Sequence, residues 1–139
     1  MKTIERKMST VRERVERLLT LSGRLASLRD YQRSADAQDI AERNLQIAIE
    51  ACMDIGKIII SAKGLPEPPD NKGIFLSLSK AGILSAQSLE FLIPMSGTRN
   101  ILVHGYDKVD DSLVYGILKK HLNDFEVFLA EVRDHFPGK

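Results

Sequence analysis

The stretch RNLQIAIEACMDIGKIII, residues 43–60, decides the fold of this chain. From residue 47 to residue 60 its apolar side chains are distributed nearly all round a helical wheel, which is typical of a helix that is covered on every side. Ser34 or Asp36 can cap this helix, and a proline-rich segment that cannot continue it follows. We therefore predict a helix over residues 35–62 that is either the centre of a bundle or part of a dimer interface.

Amphipathic segments on both sides of this helix predict its neighbours. Towards the N-terminus, apolar residues recur every three or four positions, which predicts one long helix from Ile4 to an end between Leu28 and Arg33. On the other side, KGLPEPPDNKG (63–73) holds three of the five prolines and predicts a surface loop. We expect a short helix around residues 74–80 after this loop.

Two further helices complete the predicted architecture. Ser85 can cap a fourth helix, which Pro94 should kink, and the aspartates at 110–111 can cap a last helix that runs to Pro137. The sequence has neither a period-two strand pattern nor an internal repeat. We therefore predict one all-α domain over residues 1–139, an up-and-down bundle of four long helices and one short helix.

Composition limits the possible partners and the compartment. The chain has 20 Lys and Arg against 19 Asp and Glu, so RNA binding would need a local basic patch or a cleft built by two subunits. A single cysteine cannot form an intrachain disulfide, which fits the reducing cytoplasm. The charged N-terminus, and the lack of an apolar run of about 18 residues, argue against secretion and membrane insertion.

The segment RNILVHGY (99–106) carries the candidate chemistry, because it combines a fixed cation, a proton carrier and a phenol. On an ideal helix His104 lies about 140 degrees from Arg99, so either Gly105 ends the helix or two copies share one site in a homodimer. In such a cleft His104 would transfer the proton of a ribose 2′-hydroxyl or of the leaving oxygen, and Arg99 would hold the phosphate. This chemistry is metal-independent RNA cleavage. Asn100 would contact the phosphate or the imidazole.

The spacing of arginine, histidine and tyrosine in this segment resembles the signature of HEPN domains, specifically of HepT-type toxins paired with minimal nucleotidyltransferase antitoxins. The asparagine after the arginine also fits, and the long helix and proline-rich loop look like those of that family. The resemblance implies a HEPN-like bundle and a homodimeric, cytoplasmic endoribonuclease toxin with no metal and no cofactor. It also implies that Arg99 and His104 are the catalytic pair, and that the partner enzyme modifies Tyr106 with AMP.

Asp54 is a further candidate, because it lies in the most apolar part of the long helix, where a carboxylate needs a partner. It shares a helical stripe with Arg43, Glu50 and Lys57. Asp54 is therefore expected either to orient Arg99 or His104, or to make an ordinary contact within its own helix. The two other histidines, His121 and His135, lack metal-ligand spacing and favour surface positions.

A second class of function also fits the residues. The same helical dimer would serve as a non-catalytic, nucleotide-binding accessory subunit of a nucleotidyltransferase, in which Arg99 grips a nucleotide and no RNA is cleaved. Both functions need a cation and a phosphate site, so the residues leave this alternative open.

Overall fold

The structure is a computed structural model that describes residues 2–105 and 109–135, and within these two ranges all regular elements are α-helices. The seven helices of these ranges are α1 (Lys2–Gly23), α2 (Leu28–Gln32), α3 (Ala35–Ala62), α4 (Asn71–Lys80), α5 (Ala86–His104), α6 (Asp111–Lys120) and α7 (Leu122–His135). The predicted all-α class is confirmed. The number of helices differs from the prediction because the first and the last predicted helices are each divided in two.

Helix α3 is the centre of the bundle, and its predicted span of residues 35–62 is confirmed. The Ser34 hydroxyl caps it by accepting a hydrogen bond from the backbone of Ala37, and α1, α2, α4, α5 and α6 all pack against it. Lys7 contacts Asp54 and Arg14 contacts Asn44, so α1 and α3 run antiparallel. This arrangement gives the apolar residues of α3 the cover that they require.

The predicted end of the first helix is wrong. Helix α1 ends at Gly23, before the predicted range of residues 28–33, and the apolar Leu25 continues the buried pattern from outside the helix. Glycine weakens a helix, and Ser27 caps α2 by accepting a hydrogen bond from the backbone N–H of Asp30. These two local signals outweigh the apolar periodicity that continues across the break.

A lysine from the other end of the chain satisfies the open end of α1. The Nζ of Lys119, in α6, donates to the carbonyl oxygens of Ser22 and Leu25 at 2.6 and 2.7 Å. The last carbonyls of any helix lack partners within the helix, and a cation there also complements the helix dipole. Lys119 therefore ties the end of α1 to α6.

The last predicted helix is also divided, because His121 separates α6 from α7. The His121 carbonyl accepts from the backbone N–H of Asp124 at 3.1 Å, and its Nδ1 lies 2.9 Å from Asp124 Oδ2. His121 is the C-cap of α6, and these local contacts mark its boundary with α7. The predicted end at Pro137 lies outside the described residues.

Aromatic side chains join α4, α5 and α7. The rings of Phe75 and Phe128 meet edge to face with centroids 6.2 Å apart, and those of Phe91 and Phe125 do so at 5.0 Å. These contacts hold α5 against the bundle and thereby position the segment that begins at Arg99. Across the described ranges, no helix combines the length and apolar character that a membrane span requires.

Candidate active site

Helix α5 carries the candidate residues at its C-terminal end. It starts as predicted after Ser85, whose hydroxyl accepts from the backbone N–H of Ser88 at 3.1 Å. The helix continues through Pro94 and ends at His104. Arg99 therefore lies within the last two turns, and the exposed His104 is the last helical residue.

Gly105 ends this helix, which is the first of the two arrangements that the sequence allows. Its backbone N–H donates to the carbonyl of Ile101 at 2.7 Å, and a Cβ at this position would lie 3.0 Å from the same oxygen. Any larger residue would push the carbonyl away from this close approach. The glycine thus ends α5 directly after His104.

Arg99 is bound by Glu50 of the central helix. The guanidinium Nε and Nη2 lie 3.0 and 2.9 Å from a single carboxylate oxygen of Glu50, and Gln46 Nε2 lies 3.5 Å from that oxygen. The side chains of Arg99 and Glu50 are 26% and 33% exposed. This half-buried, charge-assisted pair fixes the orientation of the guanidinium.

The geometry leaves part of the Arg99 guanidinium available for a ligand. A guanidinium has five N–H donors, of which Glu50 engages one on Nε and one on Nη2, while Asn100 Oδ1 accepts from Nη1 at 3.3 Å. Among the residues that the structure describes, this leaves one donor on each terminal nitrogen. Two such donors match the bidentate binding of a phosphate.

Asp54 makes a different contact from those predicted. Its Oδ2 lies 2.9 Å from the Nζ of Lys7 in α1, and the two side chains are 39% and 41% exposed. Asp54 thus neither orients Arg99 nor pairs within its own helix, and Glu50, one turn earlier, takes the orienting role. The signal for Glu50 was its place between buried Ile49 and Ala51, but sequence alone does not show which carboxylate of the stripe faces α5.

The remaining predicted residues are not brought together. His121 lies between α6 and α7, and His135 Nδ1 lies 3.1 Å from the carbonyl of Glu131 within α7. Within residues 2–105 and 109–135, no group of three or more His, Cys, Asp or Glu side chains is arranged to hold a metal ion. Tyr106, predicted as the site of modification, lies outside the described residues.

The sequence of this chain is similar to those of known ribonucleases. The model of the family described as Ribonuclease HepT-like matches residues 10–132. The tRNA nuclease HepT of Aphanizomenon flos-aquae is 32% identical over 109 residues, covering 78% of this chain and 74% of that protein. The mRNA nuclease HepT of Shewanella oneidensis is 28% identical over 127 residues, covering 91% and 93%.

A solved structure shows the same fold. The tri-AMPylated HEPN toxin of Shewanella oneidensis, determined in complex with an MNT antitoxin, matches with a TM-score of 0.88 at 27% identity. The match covers 96% of this chain and 98% of that one, so it includes the central helix and the segment that carries Arg99.

Proposed function

This chain belongs to the family of HepT-like ribonucleases, and from that premise we propose that it is the toxin of a toxin–antitoxin pair and acts as an endoribonuclease. The two HepT relatives are nucleases of tRNA and mRNA, so RNA is the substrate class. The observation that carries the proposal is the orientation of the Arg99 guanidinium. Glu50 holds this group, and two of the N–H donors of Arg99 point away from Glu50 and are available for a ligand. We place the protein in the cytoplasm, where the buried thiol of Cys52 stays reduced.

The proposed reaction needs only protein groups. Arg99 binds the scissile phosphate and balances the negative charge that grows on it in the transition state. One His104 takes the proton of the ribose 2′-hydroxyl, whose oxygen attacks phosphorus, and a second His104 protonates the departing 5′-oxygen. The products are a 2′,3′-cyclic phosphate and a free 5′-hydroxyl. Because Arg99 supplies the positive charge, the reaction does not require a metal ion.

A homodimer supplies the second histidine. Although Gly105 ends α5, His104 is still its last helical residue and points about 140 degrees away from Arg99, so a phosphate bound at Arg99 is better reached by the histidine of a second copy. Ile101, between these two residues, is 40% exposed, and Ile58 on α3 is only partly buried. These apolar side chains suit a dimer interface next to the site that the two copies would share. We expect a mass of about 31 kDa by light scattering, twice the 15.6 kDa of one chain.

The His104→Ala variant tests the mechanism. Cleavage of RNA should be lost while the helical circular dichroism and the dimer mass stay unchanged, since His104 is exposed at a helix end. Wild-type cleavage should persist in EDTA and leave cyclic phosphate ends. A His104→Ala protein that cleaves RNA fully, or a strict need for a divalent metal, would refute the mechanism. A wild-type chain that binds nucleotide without cleaving RNA would favour the accessory role.

Silencing by a partner nucleotidyltransferase is the second part of the proposal, and it rests on the AMPylated toxin of Shewanella oneidensis. We propose that, with the partner of this chain, the phenolic oxygen of Tyr106 loses its proton and attacks the α-phosphorus of ATP, which forms a tyrosyl–AMP bond and releases pyrophosphate. The attached AMP adds negative charge and bulk near the phosphate site. Incubation with the partner, ATP and magnesium should raise the intact mass by one or more AMP groups and reduce cleavage in proportion. Tyr106→Phe should escape both effects, because it lacks the phenolic oxygen. Modification of the Phe variant would show that another residue is the acceptor.

A further inference from the structure

A cleft of about 440 Å³ opens beside the candidate active site. It lies between the start of α4 and the exposed side of α5. Its lining consists of Asp70, Asn71, Lys72, Ile93, Ser96, Gly97 and Asn100, and the Asp70 carboxylate accepts a hydrogen bond from the backbone N–H of Gly73 as the cap of α4. This volume falls within the range of about 300–1,000 Å³ that is usual for small-ligand sites. The mechanism proposed above does not use the cleft.

Asn100 connects this cleft directly to Arg99. Its side chain lines the cleft, and its Oδ1 accepts a hydrogen bond from Arg99 Nη1 at 3.3 Å. A phosphate at the remaining donors of Arg99 would therefore lie one side chain away from the cleft. An RNA strand that crosses Arg99 has a nucleotide on each side of that phosphate, and one of them needs a place on this surface.

The chemistry of the lining suits a nucleotide. Gly97 is exposed, and a Cβ built on it meets no atom within 4 Å, so together with Ile93 it forms an open, partly apolar floor. The amides of Asn71 and Asn100 offer both donors and acceptors, which match the edges of bases and the ribose hydroxyls. Lys72 is exposed at the rim and supplies a cation for a phosphate.

We propose that this cleft is a binding subsite for the RNA nucleotide next to the scissile phosphate. The inference rests on the proposed nuclease function and adds to it the place where the substrate strand is held. The base lies over Gly97 and Ile93, Asn71 and Asn100 hydrogen-bond to it or to its ribose, and Lys72 binds the following phosphate.

Filling the cleft tests the proposal. Gly97→Leu places a side chain in the open space, and it should weaken binding of a fluorescein-labelled single-stranded RNA about tenfold, as expected for the loss of one well-packed nucleotide contact. The matched control is Gly116→Leu in α6, another helical glycine whose added Cβ meets no atom within 4 Å. Both substitutions remove a helical glycine, so both should raise the melting temperature, and only the first should weaken RNA binding.

The binding assay uses fluorescence polarisation on full-length protein purified without its partner enzyme, in the His104→Ala background so that the probe stays intact. Lys72→Gln in the same background should lower the slope of log affinity against log salt by about 0.7, the value for one lost contact to a single strand. Lys120→Gln, an exposed lysine at the end of α6, should leave the slope unchanged.

The outcomes separate this inference from the function on which it rests. If the wild-type chain cleaves RNA and Gly97→Leu binds the probe as tightly as Gly116→Leu, the subsite is refuted and the nuclease assignment stands. If Gly97→Leu turns a dimer into a monomer, the cleft holds a second copy of the chain instead, and the subsite is again refuted. If the wild-type chain neither binds nor cleaves RNA, the proposed function fails, and the subsite fails with it.

Discussion

Replacing Glu50 by alanine should weaken both the fold and RNA cleavage, because it removes the carboxylate that holds Arg99. The hydrogen bond from Nε at 3.0 Å and the ion-pair contact of Nη2 at 2.9 Å end on one oxygen, and they join the central helix α3 to α5. Without them the guanidinium keeps, among the residues that the structure describes, its contact with Asn100, and it gains rotational freedom. An arginine that must reorient before it binds phosphate gives a slower reaction.

The structure sets the expected magnitude. Exposed ion pairs contribute about 0–1 kcal/mol, whereas breaking a fully buried pair costs about 3–5 kcal/mol. With 26% and 33% exposure, the Arg99–Glu50 pair lies between these limits, and we expect a loss of about 2 kcal/mol in the free energy of unfolding. For 139 residues, at about 2.1 cal/mol/K of unfolding entropy per residue, this lowers Tm by about 7 °C.

Asp54→Ala is the matched control, because it removes a carboxylate from the same face of the same helix. Its pair with Lys7 has the same length of 2.9 Å but is about 40% exposed on both sides, so the loss should stay below about 1 kcal/mol. Urea unfolding measures both variants. RNA cleavage is then compared well below either Tm, where kcat/KM of Glu50→Ala should fall about tenfold or more and that of Asp54→Ala should not change.

Two results would contradict this reasoning. Equal destabilisation by Glu50→Ala and Asp54→Ala would show that the partial burial of the Arg99 pair adds nothing to its strength. Tighter RNA binding by Glu50→Ala with unchanged turnover would show that Glu50 competes with the substrate for Arg99 and does not orient it.

Two further predictions concern stability. The pKa of Glu42 is raised above its usual 4.5, first by burial and then by the carboxylates of Asp111 and Asp39. The folded state therefore binds the proton of Glu42 more tightly than the unfolded state does. The stability that this proton contributes is lost as the pH rises above about 4.5. Glu42→Gln should therefore raise Tm at pH 7 and flatten its decline between pH 4.5 and 7; a lower Tm at pH 7 would contradict this. In Gly56→Ala the new Cβ would overlap Ile74 Cγ2 where α3 meets α4. This overlap should lower the free energy of unfolding in urea by about 1–3 kcal/mol. An unchanged free energy of unfolding would show that the contact between α3 and α4 is loose at this point.

The starts of α3 and α5 were predictable from the sequence because capping depends on residues close together in the chain, whereas α4 starts at Asn71 and not near residue 74, since Asp70 caps it. Ser34 and Ser85 were identified as caps, and each accepts a hydrogen bond from the backbone three residues later. Helix ends inside an apolar pattern were not predictable in the same way. The break at His121 follows from its contact with Asp124, whereas the buried positions continue in register from α6 into α7.

The partner of Arg99 was not predictable because it depends on how two helices are rotated against each other. Glu50 and Asp54 lie one turn apart on the same stripe of α3, so the helical pattern alone allows either carboxylate to face α5. The packing of α1 against α3 decides between them, since Lys7 reaches Asp54 and leaves Glu50 to Arg99. The sequence thus singled out Arg99, whose role stays a proposal, and the tertiary structure identified Glu50 as the group that orients its guanidinium.

The contact between Lys119 and the end of α1 has a consequence for synthesis on the ribosome. Lys119 follows Ser22 by 97 residues, so at a translation rate of about 5–20 residues per second the end of α1 waits about 5–20 s for this partner. A nascent chain that stops before Lys119 lacks this lysine at the end of α1 and also lacks the aromatic residues of α7 that hold α5. The arginine and histidine of the site are translated earlier but gain their support only when the C-terminal helices emerge. A truncated translation product would therefore carry the proposed catalytic residues without the helices that support them.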